Sequence, residues 1–329
     1  MTPLVVTLGE LLIDMFPAEQ GVGLTEVSAF HPKPGGAPAN VAVAIERLGK
    51  HSAFIGKVGD DAFGHYLIDV LKAEGVETRG IRLDGEARTT MAFIAMPDAN
   101  HAEFVFYRNP GADHRLQATE LDHALSREAT AFHFGSLSLN REPARTATLA
   151  AVQAAREGDT LVSFDVNYRP ALWDEPAEAI RLTREVLPQV DLVKVNEDEA
   201  ALLGGVEVKP EDTSSMEQAA KSLLAMGPSI VVMTFGPAGS FYLTAEGSGY
   251  VPGFSVNTID AIGCGDAFVA GLLTHLLDGG EWRSRLGVDD MAATLRFANA
   301  VGALTSTRRG VIPALPHIQE VKTFLTSNP

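Results

Sequence analysis

Apolar residues along the chain fall into short continuous runs separated by longer stretches of helical period. The runs at 4–8, 53–58, 131–134, 160–164, 191–195 and 230–234 are rich in Val, Leu, Ile and Phe, and predict buried strands. Between them, residues 39–48, 62–73, 142–157, 177–187 and 215–226 space their apolar positions three and four apart, which predicts helices with one buried face. Strands alternating with helices make right-handed βαβ units, and these assemble into a parallel sheet covered on both faces. The expected fold class is α/β: a doubly wound, mostly parallel sheet with helices on both faces, formed by residues 1–329 as a single domain.

One stretch breaks the alternation. Two β-like runs, 90–96 and 103–107, are joined by Pro97-Asp98-Ala99-Asn100, which reads as a hairpin turn. Alternation puts Phe104, Phe106 and Arg108 on one face of the second run, with Val105 and Tyr107 on the other. Residues 15–34, irregular and rich in Gly and Pro, are the expected partner of this hairpin. Segments 15–34 and 89–110 therefore predict a small β-sheet lid over the mouth of the α/β body. Apolar side chains on both lid faces suggest that two lids pair, making a homodimer.

Charge narrows the function classes. Lys and Arg number 26 against 42 Asp and Glu, a formal charge of −16, so no broad face attracts nucleic acid or an anionic membrane. Small phosphorylated ligands need only a local pocket and stay in play. The single cysteine, Cys264, excludes an intramolecular disulfide and suits a reducing compartment. Residues 1–10 lack a basic leader and no apolar run approaches a membrane span, so a cytoplasmic location is expected. Neither G-x-x-x-x-G-K-[ST] nor G-x-G-x-x-G occurs, and H-E-x-x-H is absent, which excludes a Walker-type NTPase and argues against dinucleotide and zinc chemistry.

The strongest local motif is Asp260-Ala-Ile-Gly-Cys-Gly-Asp-Ala-Phe268, which opens a helix. Gly263, Cys264 and Gly265 can present backbone amides in a tight turn at a helix N-terminus, a geometry that binds anions. Asp266 then sits just inside. A carboxylate beside a phosphate site makes sense as the base for an attacking hydroxyl, and equally as a first-turn residue favoured by the helix dipole. A second cluster, Pro34-Gly-Gly-Ala-Pro-Ala-Asn40, has glycines for close backbone approach and an amide for a hydroxyl; it also reads as a plain strand-to-helix turn. Thr234-Phe-Gly-Pro-Ala-Gly239 closes a strand and could hold a nucleotide. Asp14, Asp165-Val-Asn-Tyr-Arg169 and Asn196-Glu-Asp-Glu199 each follow an apolar run, where strand C-termini line the ligand crevice of such sheets.

Together these pieces resemble the PfkB (ribokinase-like) family of sugar kinases. The first family signature is similar to Gly35-Gly-Ala-Pro-Ala-Asn40 continued through Gly56-Lys-Val-Gly-Asp-Asp-Ala-Phe-Gly64, and the second to residues 260–271. Within the family, Tyr107-Arg-Asn-Pro-Gly-Ala-Asp113, Asp165-Val-Asn-Tyr-Arg169 and Arg309-Gly-Val-Ile-Pro-Ala-Leu-Pro316 resemble fructokinases, and 2-keto-3-deoxygluconate kinases share several of these segments. The resemblance implies ATP-dependent phosphoryl transfer to a sugar hydroxyl, with Asp266 as general base and Gly263, Cys264 and Gly265 as anion hole. It implies sugar contacts from Asp14, Gly35, Gly36, Asn40, Arg108, Asp165 and Arg169. It places ATP against Asn196, Thr234, Gly236, Gly239, Gly265 and Asn299, Mg²⁺ near Glu199 through water, and a monovalent cation such as K⁺ near Asp260. Two departures stand out: Ala261 follows Asp260 where a threonine is usual, and Ala314 offers no side-chain ligand to K⁺.

Overall fold

The computed structural model describes residues 3–19, 21–95, 97 and 103–329. Thirteen strands appear among them: β1 (Leu4–Leu8), β2 (Leu12–Pro17), β3 (Phe30–Gly35), β4 (His51–Gly59), β5 (Glu77–Asp84), β6 (Met91–Ala95), β7 (Glu103–Tyr107), β8 (Ala131–Gly135), β9 (Leu161–Asp165), β10 (Leu192–Asn196), β11 (Ile230–Thr234), β12 (Gly239–Thr244) and β13 (Gly247–Pro252). Nine form one sheet in the order β13-β12-β11-β10-β9-β8-β1-β4-β5. The run from β11 to β5 is parallel, and β12 and β13 close one edge as an antiparallel ribbon. Strands β5, β12 and β13 were not expected: β5 and β13 carry charge or glycine in place of apolar runs, and β12 has only the short run Phe241-Tyr242-Leu243 behind a glycine turn.

Alternation along each core strand divides the interior into two layers. Val5, Ile230 and Val232 pack with the helices Ala37–Arg47, Ala62–Ala73, Cys264–Leu276 and Val288–Ser306. Val6, Val231 and Met233 pack on the other face with Ala144–Glu157, Pro176–Val186 and Thr213–Leu224. Both faces are covered, as the continuous apolar strands require.

The lid is a separate four-stranded sheet, β3-β2-β6-β7. The hairpin β6–β7 is antiparallel, β2 joins β6 in parallel, and β3 pairs antiparallel with β2. The lid starts at Leu12, so Asp14 lies inside β2 and does not simply follow β1. The chain leaves β1 through Gly9, whose φ of +156° and tight approach to Pro38 seat it against the next helix. The expected turn at 97–100 falls outside the described residues apart from Pro97.

Strand order reverses at β1. The chain runs outward through β4 and β5, passes through the lid, and returns on the other side of β1 as β8. In open α/β sheets the ligand crevice lies beyond the strand C-termini at such a switch point. The lid stands over that crevice.

Candidate active site

Two cavities open at the C-terminal edge of the sheet. One, of about 460 Å³, is lined by Glu10, Asp14, Gly36, Asn40, Asp165, Arg169, Lys194, Asn196, Glu199 and Asp266, and roofed from the lid by Phe104 and Phe106. The other, of about 550 Å³, lies between the turn 236–239, the segment 253–258 and the helix Val288–Ser306. Thr234, Ala261 and Gly265 border both. The first is rich in carboxylates and polar groups; the second has apolar walls of Phe254, Val256 and Phe268.

The seam between them is the start of the helix Cys264–Leu276. Its N-cap is Gly263 in the left-handed region at φ +80°, and a Cβ there would lie 2.3 Å from Val311 Cγ1. Only glycine turns the chain here without strain. Gly265 is different: its φ is ordinary, and an added Cβ would meet Lys194 Nζ at 3.6 Å. Its bareness leaves room in the cavity and is not demanded by the turn. No side chain caps the first turn of this helix; Cys264 N donates to the Ala261 carbonyl at 3.3 Å, which leaves the Gly265 and Asp266 amides at the helix start as the ones open to an anion.

Asp266, in the first turn, is buried and accepts a 2.8 Å hydrogen bond from Asn40 Nδ2. Burial pushes its pKa up to about 7; Asn40 and the cations Arg169 and Lys194 pull it down, while Asp165 adds to the rise. Asp14 is likewise raised to about 7, by burial and then by the nearby Asp266 and Glu10 carboxylates. A carboxylate titrating near neutrality is matched to proton transfer at physiological pH. Asn40 Oδ1 is buried without a partner, a free acceptor held next to this group.

Lys194 was not singled out from the sequence. It interrupts the apolar strand β10, and its Nζ lies 3.1 and 3.2 Å from the two Asp165 oxygens in a buried pair. Burial alone would lower the lysine pKa, but Asp165 and Glu199 raise it, so the group stays charged. A fixed cation thus faces the seam across Gly265. A charged side chain in the middle of an otherwise apolar strand was the available signal.

A family model described as pfkB family carbohydrate kinase matches residues 2–318. The chain belongs to this family. It is 42% identical to a probable fructokinase-2 of Arabidopsis thaliana over 98% of this chain and 95% of that protein. A fructokinase of Xylella fastidiosa solved with bound ATP superposes with a TM-score of 0.88 at 31% identity, covering 100% of this chain and 99% of that one. A double-mutant fructokinase of Vibrio cholerae O395, solved with fructose, ADP and potassium ion, has a TM-score of 0.86 at 32% identity, with 98% of both chains covered. The protein is an ATP-dependent carbohydrate kinase.

In this kinase the other sequence-predicted residues divide. Asp14, Gly36, Asn40, Asp165 and Arg169 line the polar cavity; Gly236, Gly239, Asn299 and Cys264 line the apolar one. Gly35 stays off the wall, packed against the Asp14 carboxylate so closely that a Cβ would lie 2.0 Å from Oδ2. Arg108 is also behind the wall. It shares the lid face with Phe104 and Phe106, but its Nε donates to Asp113 Oδ2 at 2.7 Å, in a buried ion pair that Thr90 Oγ1 completes at 2.6 Å. Asp165 lines the polar cavity and holds Lys194 in a buried ion pair. Asn196 caps the helix Glu197–Gly204 by accepting the Glu199 amide at 2.8 Å, and borders the polar cavity instead of the apolar one. Glu199 accepts the Asn196 and Tyr168 amides at 2.9 and 2.7 Å. Asp260 ties two loops together, accepting from Ile262 at 3.0 Å and Gly310 at 3.1 Å. Among the described residues no group of three or more His, Cys, Asp and Glu could hold a metal directly.

Proposed function

We propose that the protein is a fructokinase, transferring the terminal phosphoryl group of ATP to the 6-hydroxyl of D-fructose. One observation carries this reading: a carboxylate-lined cavity and an apolar cavity meet at a helix N-terminus, with Asp266 on the sugar side of the seam. Asp14, Asn40 and Arg169, with the Gly36 backbone, would hold the sugar. Asn40 would accept a sugar hydroxyl at Oδ1 while its Nδ2 keeps Asp266 oriented.

Asp266 would take the hydroxyl proton as the sugar oxygen bonds to phosphorus and the bond to ADP breaks. Negative charge on the transferring group would meet the amides of Gly265 and Asp266 and the Lys194 ammonium. Positioning and charge stabilisation supply most of the catalysis in such transfers. Phe104 and Phe106, stacked with ring centroids 6.1 Å apart, would keep water off the reacting atoms.

Thr234, Gly236, Gly239 and Asn299 would border the nucleotide. Asn196 and Glu199 present hard oxygen donors beside the seam, a set that suits Mg²⁺ held through water, and the ion would neutralise phosphate charge. K⁺ at Asp260 belongs to the same proposal. That carboxylate already closes its two loops, so an added ion would stiffen an existing arrangement.

On the outer lid face, Phe30, Phe93 and Tyr107 form a ladder with ring centroids 5.0 and 5.2 Å apart, and Tyr107 is 62% exposed. We assign this face to a second copy of the chain. No described helix is long and apolar enough to cross a membrane. The lone cysteine fits a cytoplasmic setting.

The test is steady-state kinetics with ATP on D-fructose and on 2-keto-3-deoxygluconate. The five carboxylates Glu10, Asp14, Asp165, Glu199 and Asp266 around the sugar cavity outnumber its two cations, Arg169 and Lys194, and disfavour an anionic substrate, so kcat/KM is expected to be higher for fructose. A higher value for the keto-acid would overturn the sugar assignment.

A further inference from the structure

Polarity differs sharply between the two cavities. The apolar cavity is lined by Thr234, small and apolar residues, three serine or threonine side chains from the loop and helix beside it, Cys264 and Asn299; no charged side chain borders it. Nor are most of its polar side chains available. Asn299 Nδ2 donates to the Val251 and Pro252 carbonyls at 3.2 Å each, and its Oδ1 accepts from Ser240 at 3.1 Å. Ser306 Oγ donates to Ala303 O at 2.7 Å, and Thr258 Oγ1 lies 3.5 Å from that same hydroxyl. Thr234 Oγ1 is turned to the Val195 carbonyl at 3.4 Å. Ser255 is left, and a hydroxyl both donates and accepts, so it adapts to either kind of base edge.

We infer that this kinase uses nucleoside triphosphates broadly as phosphoryl donors, accepting GTP and, less efficiently, pyrimidine triphosphates in place of ATP. The inference rests on the reading of the apolar cavity as the nucleotide site. Adenine and guanine differ in the donors and acceptors on their edges. Sites that select such features by dedicated hydrogen bonds discriminate by about 10⁴–10⁵, because the wrong ligand leaves buried polar groups unpaired; apolar pockets discriminate by only about 10–200-fold. Here the side chains supply an apolar slot lined by Phe254, Val256 and Phe268, with no side-chain hydrogen bond dedicated to one base. A pyrimidine covers less of it and loses contact area. The transferring phosphate meets the same amides whatever the base, so the differences should lie in KM with kcat nearly constant.

The slot itself is held firmly. Phe254 packs edge-on against Phe324 of the last helix at 5.0 Å, with Arg296 stacked over it at 5.1 Å. A rigid wall selects by shape, which purines share.

The test is initial-rate kinetics of the whole enzyme with saturating fructose, varying ATP, GTP and UTP in turn. The expected result is a kcat/KM for GTP within about 200-fold of that for ATP, a lower value for UTP, and kcat values within a few-fold of one another. A preference for ATP over GTP beyond about 10³, or a difference carried by kcat, would overturn the inference. Absence of turnover with ATP itself would instead overturn the proposed function, so the two failures are distinguishable in one assay.

Discussion

Lys194→Met separates catalysis from stability at the seam. The pair it breaks is buried on both sides, with side-chain exposures of 9% for Lys194 and 6% for Asp165, and spans 3.1 and 3.2 Å. Removing one partner of such a pair leaves an uncompensated charge and costs about 3–5 kcal/mol. Unfolding in denaturant should register that loss. Asp165→Asn in the same chain removes the orphaned charge, so the double variant should recover most of the stability. Turnover should behave otherwise. A fixed cation beside a transferring phosphoryl group is worth about as much as one anion-hole donor, roughly 10²–10³ in kcat, and neither variant restores it. Fructose kinetics of both variants, with chemical denaturation on the same samples, gives the cycle. Turnover in Lys194→Met within threefold of the parent would refute the catalytic role. Recovery of turnover together with stability in the double variant would mean the lysine is merely structural.

Asp266 and Asp14 are both raised to about 7, so kcat/KM should climb as pH rises through that region, with the limb belonging to the pair; a flat profile from pH 5.5 to 8.5 would contradict this. The same upward shift stabilises the fold at acid pH and loses that contribution as pH rises from near 3.8 to about 7, so Asp266→Asn should exceed the parent in stability at pH 8 and not at pH 4. Gly263→Ala forces a side chain into φ +80° and onto Val311, costing about 1–2 kcal/mol in backbone conformation alone and shifting the anion turn; turnover should drop at least about tenfold with the far-ultraviolet dichroism intact. Gly265→Ala, whose Cβ has 3.6 Å of clearance, should leave stability unchanged and lower turnover by crowding the phosphate, so a reduced melting temperature would count against this placement. Tyr107→Glu should convert a dimer to monomers in sedimentation without unfolding, whereas a monomeric parent would remove the lid-pairing proposal.

Much of this fold is legible in the chain because buried parallel strands must be continuous and apolar. The runs at 4–8 and 230–234 match β1 and β11 residue for residue, and the helix at 62–73 matches as well. Edge strands carry no such constraint: β5 reads Glu-Thr-Arg-Gly-Ile-Arg-Leu-Asp, half exposed and charged, and escapes a search for apolar runs. The site divides in the same way. Asp266 with its glycine turn, and Asn40 with its own, stand out because each sits among sequence neighbours that form a local motif. Lys194 and the Arg108–Asp113 pair do not, because their partners come from other elements. Alternation carried one residue past β7 puts Arg108 with Phe104 and Phe106, yet cannot reveal that Asp113, five residues on, binds its Nε and Nη2 and leaves Nη1 buried without a partner.

The proposed mechanism turns on Asp266 acting as the base at the phosphoryl-transfer seam. Asp266→Asn keeps the size of the side chain and an acceptor for Asn40, and calorimetry should find fructose and ATP bound within a few-fold of the parent. Turnover with saturating fructose and ATP should fall by about 10²–10⁴, the span of general-base contributions. Parental turnover in a variant that binds both substrates would contradict the role of Asp266 as base.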